Sequence, residues 1–435
     1  MTTATRPETA PAFRAIGPRA LGGLLDRTPF DADQRDAVLA VAAILPFRVN
    51  SYVLDELIDW TAVPDDPIFR LTFPQPEMFP EEDLAPIIHH MRRNADEQVR
   101  AHVQAIRRRL NPHPAGQTDL NVPTLDGTPI PGLQHKYRET VLFFPKNGQT
   151  CHAYCTYCFR WPQFTGEPDL KITGELGQLT GYLRAHPEVT DVLITGGDPM
   201  LMSTQSLARC IEPLLAPEFS HVTSIRIGTK ALSYWPHRFT SAPDADDLGR
   251  LFERITGKDR NLAVMAHVSH PRELSTAPAQ EAVSRIRNAG AVLRTQAPLI
   301  RTVNDNPAVW AQMWRSTVRL GGVPYYMFIA RDTGPREYFQ VPLARAWEIF
   351  RDAYASVSGL ARTVRGPSMS ATAGKVCVDG IAISDGQPVF VLRYLQARDP
   401  SWVGRPFFAK YDESAAWLTD LAPAGPLAGQ FSGGL

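Results

Sequence analysis

Cys151-His-Ala-Tyr-Cys155-Thr-Tyr-Cys158 places three cysteines within one eight-residue window, and its C-x3-C-x2-C spacing decides how the rest of the chain is read. Three thiolates on a short loop can hold three irons of a [4Fe–4S] cube and leave the fourth iron open. An open iron can bind a small molecule through its amino and carboxylate groups. Two blander readings stand beside this one. A structural zinc site wants four ligands, normally as paired C-x2-4-C elements. The only other cysteines, Cys210 and Cys377, stand alone, and His152 would make a cramped fourth ligand. Unrelated buried thiols are the remaining alternative.

Working outward, the chain has 435 residues, enough for a large catalytic domain with appendages. Lys plus Arg and Asp plus Glu are equal at 45 each, so no global field draws nucleic acid or an anionic membrane. Five cysteines, three of them clustered, do not make a disulfide framework and suit a reducing compartment. No apolar run reaches the roughly 18 residues needed to span a bilayer. The first residues carry arginines without an apolar core, so they are no secretory signal. Residues 1–27 read as a disordered tail, and the whole as a cytoplasmic, oxygen-sensitive enzyme.

Residues 28–128 read as a helical region. Asp31 to Leu45 has apolar residues at helical spacing. Prolines at 64, 67, 74, 76 and 80 predict an extended link, and a helix opening at Pro80 is expected to run through Arg109. Its Arg107-Arg108-Arg109 end reads as a solvated helix terminus or, less simply, a phosphate patch. From about 138 the texture alternates between strand and helix. Strands are predicted at 140–144, 189–194, 222–227, 262–268, 291–297 and 324–329, with a helix over Leu176–Arg184. Six β/α units with buried apolar strands give an α/β fold, a parallel sheet curved into a partial (β/α)6 barrel over 129–380. Chemistry in such folds sits at the carboxyl ends of the strands. Residues 381–435 form a small C-terminal extension, with Ala422–Leu435 loose.

The cysteine loop, with an aromatic residue just before its third cysteine (Tyr157), resembles that of the radical S-adenosylmethionine (SAM) enzymes. The surrounding segments resemble the lysine 2,3-aminomutase family: Pro129–Tyr137, Asp191–Leu201, Arg226–Lys230, His267–Pro271, Gln296 with Arg301–Asp305, and Pro324–Tyr326. The likeness covers about residues 35–380 and lacks the cysteine-rich C-terminal zinc segment of some lysine-acting members. It implies a radical SAM barrel, a [4Fe–4S] cluster on Cys151, Cys155 and Cys158, SAM, and pyridoxal 5′-phosphate (PLP). It implies an isomerase that moves an α-amino group to Cβ after hydrogen removal by a 5′-deoxyadenosyl radical. A small electron donor such as flavodoxin or ferredoxin, and a homo-oligomer of at least two chains, are also implied.

Matching positions carry the expected roles. Lys375, in Ser368-Met-Ser-Ala-Thr-Ala-Gly-Lys375, falls on the PLP lysine. Lys136 and Tyr137 fall on the phosphate-side basic and aromatic pair, although lysine lacks the fork of arginine. Gly196, Gly197 and Asp198 match the loop that receives the SAM methionine, and Gln296 a SAM-contacting glutamine. His267 and His270 end a strand and either touch SAM or substrate or pack in the core. Arg160 matches the arginine that clamps the substrate α-carboxylate.

The sequence departs from the family where lysine-acting members hold the distal ammonium with two aspartates. Those positions are Arg331 and Ser368 here. An arginine against a buried ammonium without an anion would cost several kcal/mol. A substrate with a side-chain carboxylate is expected instead, as in the logic of glutamate 2,3-aminomutases. Glutamate comes first, then aspartate or a small neutral amino acid. A one-residue slip in alignment would put Asp332 in the pocket and restore a lysine site. Alternatives are a PLP-dependent radical enzyme with another outcome (decarboxylation, deamination or epimerisation), the branch that supplies β-lysine to a translation factor, and a non-catalytic iron–sulfur module.

Overall fold

The computed structural model describes residues 12–167 and 170–424. Twelve strands form one mixed sheet whose spatial order follows chain order. They are β1 (Leu133–Tyr137), β2 (Thr140–Phe143), β3 (Asp191–Ile194), β4 (Ser224–Thr229), β5 (Asn261–His267), β6 (Val292–Leu299), β7 (Val323–Ile329), β8 (Arg365–Ser370), β9 (Gly374–Ser384), β10 (Gln387–Ala397), β11 (Pro406–Lys410) and β12 (Pro423–Ala424). β2 to β8 run parallel, whereas β1 at one end and β9 to β12 at the other pair antiparallel. Six of the parallel strands are those predicted. The seventh, β8, escaped because Arg-Gly-Pro-Ser-Met-Ser has neither an apolar run nor clean alternation.

Lys136 on β1 reaches the carbonyl of Ala371 just past β8, so the two ends of the parallel block meet across a cavity. Helices Leu176–Ala185, Ala245–Thr256, Ala277–Asn288, Pro307–Arg319 and Leu343–Ala355 bury their apolar stripes in the same core as the strands. The boundary expected at 380 falls inside β9. The chain after it prolongs the sheet, because the Lys375 strand needs β10 as its hydrogen-bonding neighbour.

Other expectations are corrected. Residues 12–27 are built into the fold: Ala15–Ile16 pairs with Val49–Asn50, and Leu21 and Leu25 of a short helix are fully buried. Residues 1–11 and 425–435 of the expected loose ends lie outside the described residues, while Pro423–Ala424 pairs with β11. Asp31 caps the helix Ala32–Ile44 through a reciprocal box with Gln34. The proline-rich link contains a helix, Pro67–Thr72, because Pro67 takes its first turn and Asp66 caps it. The helix expected through Arg109 is two, Glu81–Arg92 and Asp96–Arg109, broken at Asn94 with φ +52°. Arg107 is no phosphate ligand: it donates to the carbonyls of Ala43 and Ile44 and pairs with Glu167. Among the described residues no helix is long and apolar enough to cross a membrane.

Candidate active site

The cysteine loop leaves β2 and is clamped by the N-terminal region. Tyr154 N donates to Arg48 O at 2.8 Å and Thr156 N to Leu71 O at 3.0 Å. The Asn50 side chain donates to His152 O at 3.1 Å, and Arg48 Nη1 to Thr150 Oγ1 at 2.9 Å. Ala153 and Trp161 of the loop are buried in the N-terminal apolar core. The helical region therefore fixes the loop, a role its sequence does not advertise.

A second clamp comes from the end of β3. Asp198 N donates to Thr150 O at 2.7 Å. A Cβ on Gly197 would lie 2.4 Å from Thr150 N, and one on Gly196 (φ +130°) 2.3 Å from the Gln149 amide. These glycines are needed so that the β3 loop can press against the residues preceding Cys151. Asp198 is held in turn by Met200 N, Thr229 Oγ1 and Lys230 N. It organises strand ends as well as facing the cavity.

That cavity, about 1290 Å³, is lined by Cys151, Cys155, Cys158, Gly196, Gly197, Asp198, His267 and Gln296. Gln296 sits beside His267 in the β6–β5 register. His267 stacks on Tyr157 and its Nδ1 lies 3.2 Å from the phenol oxygen. His270 is absent from the lining and accepts from Arg272 N, capping the next turn. Lys230, which sequence reasoning assigned no role, also lines the cavity and forms a 2.8 Å ion pair with the fully buried Glu273.

An adjoining cavity of about 840 Å³ holds Lys136, Tyr137, Arg160, Arg331 and Lys375. The two cavities share Phe159, Arg160, Leu193, Arg331 and Ser370. Ser370, Lys375 and Gln396 form a row across β8, β9 and β10, and Lys375 Nζ donates to Gln396 Oε1 at 3.2 Å. Its ammonium also stands 4.1 Å over the Tyr326 ring. Burial lowers Lys375 to about 8. Burial, and then Arg331, Arg398 and Lys375, lower Lys136 to about 6. Gly374 is required beside the lysine, since a Cβ there would meet Gln396 O at 2.3 Å.

Ser368 is a correction. It is fully buried two residues below Ser370, with its hydroxyl 3.4 Å from Met327 O, and it lines neither cavity. Ser370 occupies the place expected of it. Arg331 faces both cavities, whereas Asp332 lines neither, and Asn111 donates to its carbonyl and carboxylate.

The residues fit the groups that the sequence implies. Burial raises the thiols, followed for Cys151 by Asp198 and then the other two cysteines and for Cys158 by Cys155, a cost that metal coordination removes. Among the described residues, no three or more His, Cys, Asp or Glu side chains converge as a single-ion site. A cluster asks instead for one thiolate per iron. The second cavity offers a primary amine at the end of a strand and a concentration of cations, as a phosphorylated pyridine aldehyde requires.

Three cysteines beside a glycine loop, at the carboxyl ends of parallel strands in an α/β sheet, define a radical SAM enzyme. No family model matches the chain. It is 29% identical over 391 residues to "Putative L-lysine 2,3-aminomutase" of Aquifex aeolicus, covering 89% of this chain and 91% of that one. It is 30% identical over 268 residues to an L-lysine 2,3-aminomutase of Acetoanaerobium sticklandii, covering 61% of each. Along most of its length the chain is therefore similar to proteins named L-lysine 2,3-aminomutase. Among solved structures, a radical SAM methyltransferase from Sphaerobacter thermophilus overlaps at TM-score 0.36 with 18% identity, covering 57% of this chain and 71% of that one. An overlap that low carries no argument.

Proposed function

We propose that the protein is a PLP-dependent 2,3-aminomutase of a free amino acid with an anionic side chain, glutamate foremost. The observation that carries this reading is the charge of the cavities. Asp198 is the only carboxylate among the described residues lining either one, and its oxygens already accept from Met200, Thr229 and Lys230. No free carboxylate there neutralises a substrate ammonium, while Arg160 lacks a carboxylate beside it among the described residues and Arg331 has only the partial support of Asp332, which lines neither cavity. Unpaired cations at a site are stabilised by an incoming anion.

When bound, the cluster and SAM supply a hydrogen-abstracting radical and PLP supplies the carrier for the migrating amino group. The chain's part is placement. Cys151, Cys155 and Cys158 would hold the cluster, Lys375 Nζ the PLP carbonyl carbon, and Lys136 with Tyr137 its phosphate side. Arg160 would take the α-carboxylate by its fork and Arg331 the distal carboxylate. Phe159, Leu193 and Phe328 keep water from the space between the two cavities.

One observation favours a second role for Arg331. It lines the same cavity as Lys136 and, of the cations that lower Lys136, acts on it most strongly, so it could share the phosphate, leaving room for a small neutral substrate. Anaerobic incubation of reconstituted protein with SAM, PLP, dithionite and single amino acids, followed by mass spectrometry, decides. β-Glutamate that disappears in Arg331→Ala while PLP stays bound supports the distal clamp. Loss of PLP from that variant moves Arg331 to the phosphate. β-Lysine from the native protein sinks the anionic-substrate reading.

A further inference from the structure

We propose that a surface groove behind the cysteine loop is the docking port of a small acidic one-electron carrier protein, which reduces the cluster there. The proposal rests on the radical SAM reading. It starts from a residue shared between two spaces. Phe164 lines the cavity that holds the three cysteines, and it also lines a separate groove of about 840 Å³ on the other side of the loop. Tyr154, which lies between Cys151 and Cys155, stacks on Phe164 with ring centroids 4.4 Å apart and also faces the groove. A single aromatic layer thus separates the groove from the cluster cavity.

The cavity side is not available to a protein donor. It is the space that SAM and the amino acid must fill, and it is walled by side chains that exclude water. An electron carrier needs close approach rather than entry, and the groove offers that approach.

The groove's charge selects the partner. Arg48 lines it, with its Nη1 on Thr150 Oγ1 and its Nε buried without a hydrogen-bond partner. Thr150 in turn is 2.8 Å from the Tyr154 hydroxyl, so the arginine is tied to the aromatic layer. Arg14 and Arg19 flank the lining residues Ala15, Gly17 and Pro18, are exposed, and form no ion pair among the described residues. At the far end Arg107 is neutralised by Glu167. Three uncompensated arginines on an otherwise neutral protein make a local positive face. Such a face steers an acidic partner into a short-lived encounter, and redox encounters are of the small, weak kind. At each event one electron leaves the carrier, which is oxidised by one equivalent, and enters the iron–sulfur centre, which is reduced by one. No bond forms or breaks and no proton is needed.

The test uses the reconstituted holoenzyme and stopped-flow bleaching of the cluster's visible absorbance. Reduced flavodoxin and dithionite are compared as reductants across a salt series. In the double variant Arg14→Glu/Arg19→Glu, the ratio of flavodoxin-driven to dithionite-driven rate is expected to fall about tenfold at low salt, as for lost rim charges. The difference should close near 1 M salt, where the Debye length is about 3 Å. Lys410→Glu, on β11, should leave the ratio alone. An unchanged ratio in the double variant overturns the port, as does failure of both reduced flavodoxin and reduced ferredoxin to bleach the native cluster. Bleaching by dithionite without any β-amino acid product would count against the aminomutase reading and leave the port standing.

Discussion

The guanidinium groups of Arg160 and Arg331 both stand over the ring of Phe159, at 4.8 and 5.0 Å from its centroid. Each carries a buried nitrogen with no hydrogen-bond partner, Nη1 of Arg160 and Nε of Arg331. Burial lowers the affinity of both for their protons. Two like charges across one ring are a cost in the ligand-free protein, and a dicarboxylate bridging them would remove it.

Arg160→Met is therefore expected to raise the thermal midpoint of the ligand-free protein, by a few degrees at most, while destroying turnover. Truncating one member of a buried charge pair costs roughly 2–5 kcal/mol of binding, or about 30-fold to several thousand-fold in kcat/KM. Calorimetry and initial rates on one preparation check both halves. A lower midpoint with intact activity would mean that Arg160 is structural.

The two serines of β8 separate alignment from geometry. Ser368→Asp would bury a carboxylate against the Met327 carbonyl, so it should lose at least about 3 kcal/mol of stability in urea titration. Ser370→Asp opens on the cavities and should fold normally. Placed among the cation-bound groups, its charge should raise KM for an anionic substrate about tenfold. Equal stability of the two variants would contradict the burial of Ser368.

Gly197→Ala tests the contact between the β3 loop and the cysteine loop. The added methyl would sit 2.4 and 2.5 Å from backbone atoms of Thr150, which cannot turn aside as a side chain can. Overpacking of this kind costs about 1–3 kcal/mol. Because the strain falls on the residue before Cys151, iron content after reconstitution should drop with stability. Full iron loading at native stability would show that the loops are not pressed together.

How much of this was legible follows from where each signal lies. The cysteine loop, the β3 glycine loop and the six apolar strands could be read because their chemistry or periodicity is local. β8 could not, since its six residues carry glycine, proline and two serines and become a strand only between β7 and β9. A count along the chain points to Ser368, whereas Ser370 faces the cavities because of the register with Lys375. Arg331 was legible and its neighbour Asp332 ambiguous, because Asn111, which engages Asp332 away from the cavities, lies 221 positions away in the chain. Lys230 with Glu273, and Gln396 with Lys375, are long-range pairs for which no spacing rule exists.

Lys375 supplies a prediction in pH. Capture of PLP requires its amine to be neutral. A solvent-exposed lysine reaches that state only near pH 10.4, but burial lowers Lys375 to about 8. Arg226 and Arg365 push the same way, and Tyr325 opposes them. Lys136, across the cavity, is lowered further still and is largely uncharged by the time Lys375 titrates. The neutral fraction of Lys375 therefore grows as pH rises through 8 and is nearly complete a unit above it. The rate of PLP uptake by the cofactor-free protein, followed by absorbance, should rise through an apparent pKa near 8 and then level off. Gln396→Leu removes the acceptor 3.2 Å from Nζ, which favours the charged amine less and should move the midpoint lower. A rate still climbing at pH 10 would mean that Lys375 is open to solvent, and a flat profile in native protein with uptake persisting in Lys375→Ala would take the cofactor role from this residue.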